Sequence, residues 1–87
     1  MDKLTALPNI GEVLAKRLIE IDINTFEELI EIGSIEAVIK IGETDSSTCY
    51  SMLYALEGAI QGVRWHALAK EERKILKDEF GILRGKQ

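Results

Sequence analysis

The chain has 87 residues, 46% of them hydrophobic and 30% charged, with a formal net charge of −4. That length suits one compact core, which buries roughly 60–65% of the surface exposed by the unfolded chain, and it leaves no room for a second. Cys49 is the only cysteine and His66 the only histidine, so an internal disulfide and a Cys/His zinc site are both excluded.

No apolar run approaches the ~18 residues of a membrane span, and the first residues, MDKLTALPNI, lack the basic head and apolar stretch of a secretion signal. A soluble, cytoplasmic protein without membrane contact is expected. Charge is uneven along the chain. Residues 1–17 sum to +1, residues 18–40 to −5 through Glu20, Asp22, Glu27, Glu28, Glu31 and Glu36 against Lys40, residues 41–63 to −3, and residues 64–87 to +3. A net acidic chain is a poor non-specific DNA binder, because that binding comes mainly from phosphate neutralisation by Lys and Arg.

The segment LPNIGEVLAKRL, residues 7–18, opens on Pro8, which suits a turn, and on Gly11, which can take backbone conformations other residues avoid. Ile10, Val13, Leu14, Leu18 and Ile21 then recur at three and four residues, as one buried helix face requires. The start of this helix offers unpaired amides and a positive dipole end, where an anion such as a DNA phosphate fits. The alternative is a tight structural turn with Leu7 and Ile10 plugging the core. The residues DIN, 22–24, break the helix.

Thr25 and Glu28 have capping-box spacing ahead of a helix over 26–32, with Phe26, Leu29 and Ile30 expected inward. Gly33 suits its end, and Ser34 is expected to cap a short helix carrying Ile35, Val38 and Ile39 into the core. GETDSST forms the clearest loop, with caps available from Asp45 to Thr48. Cys49, Met52, Leu53, Leu56, Ala59, Ile60 and Val63 keep helical period for about four turns, marking the expected central helix, with Cys49 as a small buried residue. GVRWHALA turns the chain, and Leu68, Ile75, Leu76, Phe80 and Leu83 mark a last helix whose other face, with Lys70, Glu72, Arg73 and Lys77, is expected to be paired and solvated. The expectation is an all-α fold, a five-helix domain without strands, spanning residues 1–87 as one unit.

Within the fourth helix, Gly58 and Gly62, like Ala55 and Ala59, are four apart and invite close packing, though Gly62 also suits a helix stop. Trp65 fits either as a lid on the core or as an interface anchor. Tyr50 and Tyr54 sit one turn apart in a segment without Lys or Arg, which weakens a base-stacking role. No carboxylate pair, triad or phosphate loop supports an enzyme, and no catalytic, cofactor-binding or metal-ligating residue is assigned.

Two resemblances add to this. Leu7, Pro8, Ile10, Gly11, Ala15 and Leu18 resemble the hairpin of helix-hairpin-helix DNA-binding motifs, with Asn9 where the first glycine usually stands and Glu12 beside the proposed anion site. Asn tolerates left-handed backbone and so preserves the turn. Over nearly the whole chain, the order LPNIG, INTFEELIEIGSIEAVIKI, MLYALEGAIQGVRWHAL and EERKILKDEF resembles the C-terminal domain of the TfoX/Sxy family of bacterial competence regulators, with LYALEGAIQGVRW (residues 53–65) the most diagnostic part. The resemblance implies a small all-helical domain with a helix-hairpin-helix-like unit, and a role in regulating genes for DNA uptake and transformation. Family regulators commonly carry an N-terminal domain ahead of this one.

The function expected is a non-enzymatic regulatory module without cofactor, acting mainly on a protein partner through Glu27, Glu28, Glu31 and Trp65; a homodimer is left open. The alternative is direct DNA binding, with Asn9, Ile10 and Gly11 at a phosphate and Lys16 and Arg17 adding charge.

Overall fold

The computed structural model describes residues 4–44 and 50–85, of which the side chains of Thr44, Arg84 and Gly85 are not described. A 3-10 turn, Leu4–Ala6, leads into five α-helices: α1 Glu12–Glu20, α2 Phe26–Ile32, α3 Ser34–Thr44, α4 Tyr50–Gln61 and α5 Lys70–Gly85, with a second 3-10 turn, Trp65–Ala67, between the last two. No strand occurs among the described residues. The expected all-helical fold with five helices is what forms.

Local chemistry sets most helix ends. Helix α1 stops because Asp22 enters the left-handed region (φ 67), which lets the Asp22 amide donate to the Ile19 carbonyl (3.0 Å) and the Ile23 amide to the Leu18 carbonyl (2.9 Å). This is the paired bonding of a Schellman stop, and Ile23 drops into the core behind it. At α2 the capping box is complete: the Glu28 amide donates to Thr25 Oγ1 (3.1 Å) while Glu28 Oε1 accepts from the Thr25 and Asn24 amides (3.1 and 2.8 Å). Gly33, at φ 85, then serves two helices: its amide donates to the Leu29 carbonyl to end α2, and its carbonyl accepts from Ala37 to begin α3.

Ser34 is therefore not the cap of α3 but its first residue. Its side chain is buried, and its hydroxyl donates to Glu57 Oε1 on α4 at 2.7 Å. Nor is α3 short: its 11 residues pack against each of the other four helices, a position the sequence pattern suggested for α4. The reason lies in its composition. Ala37, Val38, Ile39 and Ile41 are all buried, and a helix apolar on most sides is surrounded rather than laid on a surface. Leu18, Leu29, Val38, Ile41, Leu53, Leu56 and Phe80 form the innermost core.

Some expected core residues face outward. Val13 is 72% exposed, Ile30 49% and Ile75 56%, while Leu83 is partly exposed. In each case a neighbour already fills the inward arc: Ala15 and Leu18 on α1, Leu29 on α2, Leu76 and Phe80 on α5. Leu68 is buried but precedes α5 rather than belonging to it. Cys49 and the caps expected at Asp45 to Thr48 lie outside the described residues.

Candidate functional site

The turn at residues 7–10 is closed by the Ile10 amide donating to the Leu7 carbonyl (3.4 Å), with Pro8 second and Asn9 third at φ 68. Pro at the second position and positive φ at the third are the requirements of a type II turn. The left-handed residue is thus Asn9, not Gly11, which caps α1 in extended backbone (φ −92, ψ −175) that any residue adopts. What glycine contributes at position 11 is openness: nothing lies within 4 Å of where its Cβ would stand, and no side chain caps the first turn of α1.

Asn9 does more than tolerate the turn. Its Nδ2 donates to the Val63 carbonyl at 2.9 Å and, at 3.4 Å, to the Ala55 carbonyl, while its Oδ1 accepts from the Trp65 amide at 3.1 Å. One side chain thereby clasps the N-terminal hairpin to the exit of α4. That exit is itself shaped for the clasp. Gly62, at φ 76, ends α4 with its amide on the Ala59 carbonyl (3.2 Å), and the Val63 amide reaches back to the Gly58 carbonyl (2.8 Å), a second Schellman stop. A Cβ on Gly58 would stand 2.6 Å from Asn9 Nδ2 and 2.7 Å from the Val63 carbonyl oxygen. The close approach expected at Gly58 is therefore real, but what approaches is the hairpin and the following turn rather than another helix face.

Of the residues proposed to meet a phosphate, Asn9 has its side chain occupied inside the molecule, and Ile10 is buried with its amide in the turn. Arg17 reaches Glu20 at 3.5 Å; Lys16 is exposed. The structure adds a cation that sequence reasoning set aside. Arg64 lines a shallow groove of about 600 Å³ together with Thr5, Pro8, Asn9 and Gly11. The Asn9 clasp to Val63 and Trp65, 54 and 56 residues away, holds the hairpin beside it.

Trp65 is 41% exposed and stacks on Tyr54 (centroids 6.4 Å apart, 15° between planes), with His66 edge-on at 5.6 Å. It covers the flank of α4 rather than the core. Tyr50 packs edge-on to Phe80, and Lys77 lies 5.2 Å above its ring, so a cation does stand beside this tyrosine, contributed by α5. Glu72, expected to pair with bases on its own helix, instead accepts from Gln61 Nε2 (2.6 Å), which also donates to Glu57 (2.8 Å).

The acidic residues expected to face a partner divide in two. Glu27 and Glu31 are exposed and flank the half-exposed Ile30, whereas the Glu28 carboxylate is held by the capping box. Helix α2 packs on α3 and α4, and the Trp65 turn packs on α4 beside the hairpin, so the structure does not join Trp65 to the acidic face. Among the described residues, no three His, Cys, Asp or Glu side chains are grouped to hold a metal ion, and no helix is long and apolar enough to cross a membrane.

Five helices with a clasped N-terminal turn define a small all-helical domain. The chain belongs to the TfoX C-terminal domain family, whose match spans residues 1–80. No curated protein matches it. It is closely similar to the crystal structure of an uncharacterized protein from Listeria monocytogenes in a triclinic form, with 50% identity over 97% of this chain and 96% of that one and a TM-score of 0.90. A tetragonal form of a Listeria monocytogenes protein of unknown function gives 51% identity over 93% and 99% of the two chains, with a TM-score of 0.87.

Proposed function

We infer that this domain is a non-enzymatic regulatory module of the bacterial cytoplasm, serving the control of genes for DNA uptake and transformation through contact with a protein partner. Family membership supports the regulatory setting. The observation that carries the mode of action is the hairpin itself: its most distinctive polar side chain, Asn9, makes its hydrogen bonds to Val63, Ala55 and Trp65 and none is left over for a phosphate. Exposed Glu27 and Glu31 on α2, with Ile30 between them, are the surface offered to a basic partner. Complementary charge there speeds encounter and selects the partner more than it adds affinity.

Direct DNA contact is the second reading, and Arg64 favours it by standing across the groove from the uncapped start of α1. Titration of a labelled duplex at low and moderate salt separates the two. The protein-contact reading expects no salt-sensitive binding by the folded domain, and loss of regulatory output in a reporter of DNA-uptake genes for Glu27→Lys with Glu31→Lys, which leaves the Glu28 cap intact. Tight, salt-sensitive binding that disappears in Lys16→Glu with Arg64→Glu overturns it in favour of DNA.

A further inference from the structure

We draw no further inference here: the strongest candidate, the apolar end of the molecule where exposed Val13 of α1 and Ile82 of α5 stand over shallow grooves flanking the start of α4, carries nothing because both grooves are lined by charges of either sign and nothing in the structure shows what covers them.

Discussion

Replacing Gly58 by alanine sets two physical effects against each other, and the sign of the result decides between them. Inside a helix, alanine is favoured over glycine by about 1 kcal/mol, so propensity alone makes Gly58→Ala stabilising. The surroundings oppose this. The new methyl would lie 2.6 Å from Asn9 Nδ2, 2.7 Å from the Val63 carbonyl oxygen and 3.2 Å from the Trp65 Cα. The Asn9 side chain can swing aside, at the loss of its bond to Val63, a net cost of about 1 kcal/mol. The Val63 carbonyl and Trp65 Cα are backbone, fixed behind the Schellman stop, and forcing them outward costs about 2 kcal/mol, in the range of an overpacked core. The sum is a loss of about 2 kcal/mol, equivalent to about 10 °C in Tm for a domain of this size. Urea unfolding followed by circular dichroism measures it as a lower midpoint at unchanged slope. In an Asn9→Gly background the side-chain part of the overlap is absent, so the second substitution should cost about 1 kcal/mol less than it does alone. A Gly58→Ala protein as stable as the wild type, or more so, refutes the account of this contact.

The clasp can also be tested from its other side. Asn9→Ala loses the bonds to Val63 and Trp65 and places alanine at φ 68, for a loss of about 3 kcal/mol, whereas Asn9→Gly keeps the turn and should lose about 1 kcal/mol less; equal losses in thermal melts would refute the backbone component. Two other glycine positions should part company. Gly62→Ala is expected to lose about 1 kcal/mol because of its φ of 76, while Gly11→Ala, in extended backbone with open space, should stay within about 0.5 kcal/mol of the wild type by chemical denaturation. Thr25→Ala removes the oxygen that accepts from the Glu28 amide and should lower stability by about 1 kcal/mol, with faster exchange of the first amides of α2 in hydrogen-exchange NMR.

What could be foreseen from the residues divides by distance along the chain. The Thr25–Glu28 box, the stops at Asp22 and Gly62 and the period of α4 depend on partners within a few residues, and each formed as its chemistry dictates. Outward-facing Val13, Ile30 and Ile75 were not foreseen, because a run of aliphatics marks an apolar arc wider than the strip a small core can cover. Asn9 shows the limit most clearly. Its identity suggested only tolerance of left-handed backbone, whereas its side chain bonds to Val63 and Trp65, residues 54 and 56 positions away. The same distance concealed Arg64, whose place beside the hairpin follows from that clasp. Ser34 had a plausible local role as a cap, and the half-buried carboxylate of Glu57 on α4 displaced it with a better one.

The clasp also has a consequence for the order in which the molecule comes together. Contacts between residues far apart in sequence form late, after the chain entropy of closing the intervening loop has been lost. Within this domain the turn at Asn9 is synthesised 54 and 56 residues ahead of its partners at Val63 and Trp65, some seconds earlier at ordinary rates of synthesis. Until then Asn9 has neither of the carbonyls it bonds nor the amide it accepts from, and α1 has no anchored start. A hairpin made early in the domain is thus completed only once the exit of α4 has been made.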